Sequence, residues 1–381
     1  MEKKLLYWSP CLNKVGTFYS TINSAISVSK YSRGLYKPVI INSCGEWDSH
    51  KEFFNKQNVE VISFYKKNYF KLLPKEGFFF SRFSYIIISI LSFLPLLNLL
   101  RKNQDSIMII HLITSLPMII LKIFNINIKI ILRLSGHPKL NYLRYKFWKL
   151  SGNKISYITC PTEQLMGQLK DTKVFDSNKI LFLQDAVLKV NQSNNKKIKI
   201  NKNKYILAAG RLTVQKNFTY LLNEFSNFLK INRDYKLIIL GNGEERNKLK
   251  KIIEKKNISD HVFLKGFVDN IQDYMFNSDI FVLSSLWEDP GFVIIEAAYN
   301  NLFVISSDCP NGPKEILDNG RGGILFKSNE EGALLNSLIE FDKLSLEEKY
   351  YKKVILKKNI SKYTIFKHYK KLETILKKMN I

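Results

Sequence analysis

Cysteine is scarce: four residues in 381, Cys11, Cys44, Cys160 and Cys309, each standing alone. With no CxxC pair and no Cys/His ligand spacing, a zinc module and a disulfide-stapled scaffold are excluded. Single thiols of this kind suit a reducing compartment. Carboxylates are also in short supply, 33 Asp and Glu against 59 Lys and Arg, for a net charge of +26. No Asp-x-Asp pair follows an apolar run, so neither a metal nor any other cofactor is expected. No apolar run of leader length opens the chain: in "MEKKLLYWSP" it stops at Ser9-Pro10, and the cytoplasm is the expected location. Only one long uncharged stretch occurs, "FSYIIISILSFLPLLNLL" at 83–100. It reads as a helix bent or broken at Pro95, partly buried and partly dipping into one leaflet of a membrane. A core helix and a short span are the alternatives.

The positive charge is uneven. Residues 1–190 carry 27 basic and 11 acidic side chains, and from Ser106 to Thr162 there are eight basic side chains and no acid. Aromatics are interleaved there, as in "RLSGHPKLNYLRYKFWKL". An anionic membrane surface, a nucleic acid or a phosphorylated substrate would all suit such a segment. An AT-rich genome would by itself raise Lys, Asn and Ile. Nucleic acid is disfavoured, because no finger, helix-turn-helix or aromatic recognition strip accompanies the charge.

What the chain has in quantity is short β-branched runs. "YILAAG" (205–210), "KLIILG" (236–241), "VFLKGF" (262–267), "IFVLSS" (280–285), "FVISS" (303–307) and "GILF" (323–326) alternate with helical patterns. The first half shows a looser version, from "LLYW" and "KPVIIN" to "KISYITC" and "KILFL". Continuous apolar strands alternating with helices predict parallel sheets covered on both faces. The length allows two domains. The expected architecture is α/β, with two Rossmann-like domains: 1–188, an Asn/Lys-rich linker at 189–204, 205–362, and a last helix over 363–381.

Ligands of such sheets sit beyond the carboxyl ends of the strands. Arg211 and Lys216 follow the first strand of the second half, just before a helix, as a diphosphate site requires. "GNGEER" offers only a GxG, with Arg246 where a dinucleotide fingerprint wants glycine, so it is an ordinary tight turn. "WEDPGFVIIEA" (287–297) sets Glu288 and Glu296 eight positions apart. On one unbroken helix they would diverge, but a turn at Pro290-Gly291 and a helix from Phe292 could fold both toward one pocket. Glu296 within "FVIIEAA" is costly to bury without donors, and the hydroxyls of a ribose would supply them.

The segments "GRLTVQKNF", "LGNGEERNKLK", "VFLKGFVDNIQDYMFNSDIFVLSSLWEDPGFVIIEAA" and "SDCPNGPKEIL" follow one another over about residues 204–330. In this order and spacing they resemble the retaining glycosyltransferases of family 4, with their Glu-x7-Glu pair. The resemblance implies the GT-B fold, two Rossmann-like domains with parallel sheets facing across a cleft, and a nucleotide diphosphate sugar, UDP by default, as donor. Arg211 and Lys216 would neutralise its diphosphate, with Gly16 of the first glycine loop. Glu288 and the amides of Gly291, Phe292 and Val293 would hold the transferred sugar, Glu296 the ribose, and Phe267-Val268 the base. In the first half "SPCLNKVGTFYSTINSAISVSKYSRG" is similar to the family's glycine loop, with Val15-Gly16 in place of a glycine pair. Either His137 or Ser135, in "IILRLSGHPKL", occupies the acceptor-side catalytic position. His111 in "MIIHLITS" is a core or a pocket residue.

The resemblance further implies transfer of a hexose or N-acetylhexosamine without a metal, onto a lipid-linked or saccharide acceptor. This would be bacterial surface-glycan synthesis, polysaccharide or lipopolysaccharide, by a protein peripherally bound to the anionic inner face of the membrane. A nucleotide-sugar epimerase of the same fold and a basic nucleic-acid-binding protein are the rival readings.

Overall fold

The structure, a computed structural model, describes residues 2–12, 16–74, 78–111, 115–189 and 204–379. Most of the expected linker, 190–203, therefore lies outside the described residues, as does Val15. Two compact units divide the chain: residues 1–187 with 363–381, and residues 188–362.

In the first unit seven parallel strands form one sheet: β1 Lys3–Trp8, β2 Tyr36–Asn42, β3 Glu60–Ser63, β4 Ile107–His111, β5 Lys129–Arg133, β6 Tyr157–Cys160 and β7 Ile180–Phe182. Their order is β3-β2-β1-β4-β5-β6-β7. Successive side chains of one strand point to opposite faces, and here both faces are dry. Leu6, Trp8, Met108, Ile110, Ile130 and Leu132 enter one core. Their neighbours Leu5, Tyr7, Ile107, Ile109 and Ile131 enter another. Burial on both sides is why these strands read as unbroken apolar runs. The helix Ile365–Met379 belongs to this unit and packs Tyr369, Leu372 and Leu376 into the second core. Its His368 bonds the Gln184 carbonyl at 2.7 Å and Ser24 Oγ at 2.9 Å.

In the second unit six parallel strands, β8 Lys204–Ala209, β9 Tyr235–Leu240, β10 Val262–Gly266, β11 Ile280–Leu283, β12 Phe303–Ser307 and β13 Ile324–Phe326, run in the order β10-β9-β8-β11-β12-β13. From β8 the sheet grows outward in both directions. The loops after β8 and β11 therefore leave the sheet side by side and diverge, opening a crevice at the strand ends.

The uncharged stretch forms part of one helix, Phe78–Lys102, that runs uninterrupted through Pro95. The expected break at Pro95 does not occur. Proline leaves the carbonyl four residues earlier without its helical donor; that carbonyl, of Leu91, accepts the Tyr65 hydroxyl at 2.7 Å. One face of the helix is buried through Ser84, Ile88, Ser92 and Leu96. Along another, Phe79, Phe83, Ile86, Ile90 and Leu94 recur at intervals of three and four and are all exposed. By length and composition the helix could cross a membrane. Its buried face packs on the unit's core, where Leu96, Leu97 and Leu100 join the sheet residues.

Candidate active site

Gly210 ends β8 and sits against Gly241, which ends β9, so closely that a Cβ on Gly241 would overlap the Gly210 carbonyl. Gly312, after β12, stands in the same relation to the carbonyl of Pro290, after β11. These two contacts let neighbouring strand-end loops touch through their backbones. Leu286 N donates to the Gln215 carbonyl at 2.8 Å, the Gln215 amide to the Trp287 carbonyl at 2.9 Å, and Ser284 Oγ to the Lys216 carbonyl at 2.8 Å. The loop after β8 is thereby locked to the loop after β11 across the point where strand order reverses.

Lys216 and Glu288 meet on this frame. Lys216 Nζ lies 2.5 Å from Glu288 Oε1, and the two side chains are only 13% and 5% exposed. Ser285 Oγ donates to the same oxygen at 2.5 Å. The Lys216 stem lies over Gly210, where a Cβ would approach its Cε to 2.9 Å. The sequence reading gave the two residues separate duties, and the structure makes them one unit. Ser285 was not foreseen, although a serine three residues before Glu288 at a strand end was its visible sign. Behind it, Ser307 Oγ donates to the Ser285 carbonyl at 2.7 Å, linking β12 to the group.

Gly291 caps the helix Phe292–Tyr299 with φ of +94°, a left-handed conformation that favours glycine. The first N–H groups of this helix precede its internal hydrogen-bond ladder, so the amides of Phe292 and Val293 are available to an anion or an electron-rich oxygen. One turn on, Glu296 is half-buried among Ile294, Ile295, Ala297 and Ala298, which are buried. Its carboxylate has no hydrogen-bond or ionic partner among the described residues, and loss of water pushes its pKa up to about 7. Arg211, next to Gly210, is exposed and likewise unpartnered among the described residues. Phe267 and Val268 follow β10, the phenylalanine 64% exposed and the valine half-buried.

Gly16 and His137 belong to the first unit. Gly16 opens the helix Gly16–Tyr31, and the next residue, Thr17, bonds Ser135 at 3.1 Å. Ser135 also accepts Arg133 Nη1 at 2.7 Å, whereas His137 is an exposed loop residue. Arg133 is held in a buried ion pair with Asp185, whose Oδ1 also accepts Ser20 Oγ at 2.8 Å. His111 is fully buried, its Nδ1 3.1 Å from Thr21 Oγ1. Desolvation, then the Arg133 charge, hold it well below the ordinary imidazole range. The Arg133–Asp185 pair was missed, because 52 residues separate its partners and neither stands in a recognisable pattern.

Residues 190–357 match the family of group 1 glycosyl transferases. An uncharacterized glycosyltransferase of Methanocaldococcus jannaschii is 32% identical over 249 residues, 58% of this chain and 60% of that protein. The match thus spans about 60% of that relative's length. An alpha-1,4-N-acetyl-D-galactosaminyltransferase of Campylobacter jejuni, named for an undecaprenol-diphosphate-linked saccharide, is 27% identical over 72% of this chain and 76% of its own. Among solved structures, a variant of Staphylococcus aureus TarM crystallised with UDP superposes with a TM-score of 0.75 at 16% identity, over 98% of this chain and 99% of the other. The fold is that of GT-B glycosyltransferases, two Rossmann-like units with parallel sheets.

Two outcomes follow for the second unit. Lys216→Ala strands the Glu288 charge in a dry site and lowers unfolding stability by about 2–4 kcal/mol, whereas Arg211→Ala changes it by less than about 0.5 kcal/mol. Denaturant titration checks both, with Lys216→Met/Glu288→Gln expected to recover part of the loss. Glu296 binds its proton more tightly folded than unfolded, so its contribution to stability falls as pH rises from about 4.5 toward about 7. Glu296→Gln should therefore raise stability above pH 7 by about 1–2 kcal/mol, the carboxylate keeping some water, with little change near pH 4. A pH series of melting curves for both proteins tests this.

Proposed function

We propose that the protein is a retaining glycosyltransferase of the family 4 type. It moves a hexose or N-acetylhexosamine from a UDP-sugar to a lipid-linked or saccharide acceptor in the synthesis of a bacterial surface glycan. The observation that carries this is the buried Lys216–Glu288–Ser285 group at the reversal point of the second sheet, in the same unit as Glu296, which is unpartnered among the described residues. The relatives' printed activities on diphospho-undecaprenol saccharides support the choice of acceptor.

The chemistry follows from the placement of charge. As the C1–O bond to the diphosphate breaks, negative charge grows on the leaving phosphate. An ammonium has three N–H donors, and Lys216 gives one to Glu288, leaving two for phosphate oxygens. Arg211 adds a second cation without reorganisation, and the Phe292 and Val293 amides a third source of donors. The leaving oxygen takes the proton of the acceptor hydroxyl as the new C1–O bond forms on the same face. Glu288, already held by two donors, can turn its remaining lone pairs to the sugar's hydroxyls. Glu296 takes the ribose diol. No metal enters this scheme, since the protein's own cations meet the phosphates.

UDP should raise the melting temperature of the full chain, and at a hundred times Kd the gain corresponds to about 2.7 kcal/mol. Glu296→Ala should remove most of that gain. The ribose hydroxyls favour the ionised carboxylate, so UDP should also bind more tightly above pH 7 than below it. No stabilisation by any nucleotide diphosphate sugar would sink the reading. Equal stabilisation of the Glu296→Ala protein removes only the ribose contact.

We also assign the exposed stripe Phe79, Phe83, Ile86, Ile90 and Leu94 to the acyl region of an anionic leaflet, consistent with peripheral attachment at the cytoplasmic face. Flotation with phosphatidylglycerol vesicles should carry the protein up and neutral phosphatidylcholine vesicles should not, with salt reducing recovery. Ile86→Asp/Ile90→Asp should abolish flotation without altering the response to UDP. Equal flotation of this variant refutes the assignment.

A further inference from the structure

The helix Leu346–Ile360 packs on the second unit through its inner side, where Leu356 and Ile360 are buried. Lys352 Nζ donates to the carbonyls of Gly320 and Gly323, both at 3.1 Å, and Asn359 Nδ2 to those of Glu315 and Ile316, both at 2.8 Å. Ser345 closes the first turn in a capping box with Glu348. These contacts fix the helix whatever its outer side does. That outer side is apolar where an exposed helix is ordinarily polar. Leu346, Tyr350, Tyr351 and Val354 are 86%, 67%, 65% and 45% exposed.

Glu347, Tyr350, Val354 and Lys357 recur at intervals of three, four and three, which places them on one narrow face. Glu347, Lys357 and Lys358 are exposed and have no partner among the described residues. Acid in the first turn and base in the last suit the helix dipole and alone would call for no partner. The dipole gives no reason for a tyrosine and a valine between them. An anionic leaflet or an acidic segment would be repelled by Glu347 and Glu348 at one end of the face. What matches acid, apolar middle and base in that order is the same helix reversed. With a two-fold axis level with Lys352, Tyr350 lies opposite the partner's Val354 and Glu347 opposite the partner's Lys357, each contact occurring twice. Two copies laid parallel would instead set Glu347 against Glu347 and Lys357 against Lys357, so charge selects the antiparallel order.

We infer that the chain pairs with a second copy of itself through this helix, as an antiparallel and transient dimer. A contact confined to one helix about 22 Å long falls short of the roughly 1,200 Å² that stable interfaces bury. Each copy also carries a net charge of +26, whose repulsion is screened beyond about 8 Å at physiological salt. Both facts set a weak, concentration-dependent association. The inner side of the same helix packs on the helix Phe292–Tyr299, so pairing adds a layer behind the element that carries Glu296. The inference does not depend on the proposed glycosyl transfer.

Sedimentation velocity of the full chain at physiological salt tests this, with a monomer–dimer equilibrium expected at a Kd of about 10–100 μM. Val354→Asp should weaken it more than about tenfold, because two aspartates would enter the apolar middle. Glu347→Lys and Lys357→Glu should each weaken it about tenfold by setting like charges opposite one another. The double variant Glu347→Lys/Lys357→Glu should return Kd to within about threefold of the wild type. A helix that had merely unfolded would not be rescued in this way, and melting temperature should stay unchanged in every variant. A monomer at all concentrations up to about 500 μM, a dimer indifferent to Val354→Asp, or no rescue by the double reversal overturns the inference. So does a monomeric wild type whose flotation with phosphatidylglycerol vesicles is reduced by Val354→Asp, which would give this face to lipid.

Discussion

The second unit is organised around an ion pair that water hardly reaches. Bringing Lys216 and Glu288 out of solvent costs several kcal/mol per charge, and their mutual attraction repays this only where geometry is tight and remaining valences are filled. Both conditions depend on strand order. Only where the sheet reverses do two loops leave neighbouring strands and diverge, so one can present a lysine and the other a glutamate from opposite sides of the same crevice. Ser285 then supplies a second donor to the carboxylate, and Ser307 reaches back to hold the Ser285 backbone. The pair is consequently a property of four strands, β8, β9, β11 and β12, rather than of two residues.

The glycine contacts have the same origin. If Gly241 or Gly312 carried a side chain, the loops would separate, and the Lys216–Glu288 distance would separate with them. Around this rigid centre the chain leaves other groups uncommitted. Among the described residues Arg211 is exposed and unpaired, the helix-start amides lie outside the helical ladder, and Glu296 has no partner. That division makes chemical sense. The groups that must stay in place during charge development are fastened to the sheet, while those that recognise the variable parts of a ligand keep their valences for it.

Much of this could be read from the letters. Strands β8 to β13 are mostly runs of Ile, Leu, Val and Phe, fully buried in β11 and β12, and a pattern that simple survives without tertiary information. The turn at Pro290-Gly291 and the helix from Phe292 were also legible, because Pro-Gly before an apolar helical run admits few alternatives. Proline at 95 does not break its helix for a definite reason: its cost is met by Tyr65, thirty residues away, whose hydroxyl takes the place of the missing N–H. The Arg133–Asp185 pair was hidden similarly, since no local rule links the end of β5 to a loop 52 residues on. The motif gave Lys216 and Glu288 their places on the strand ends but not their contact. Whether adjacent strand-end loops converge or splay is decided by glycine approach distances, which have no signature beyond the glycine itself.

The distribution of acid explains why the surface of the first unit is so basic. Glu46 and Asp185 are buried and Asp48 is partly so, each tied into hydrogen bonds or an ion pair. Carboxylates drawn inward no longer offset the lysines outside, so the surface is more basic than the net charge suggests. Surface charge acts over about a Debye length, roughly 8 Å at physiological salt. It can collect the chain at an anionic leaflet while having little say at buried groups such as the Arg133–Asp185 pair, where the nearest full charges dominate.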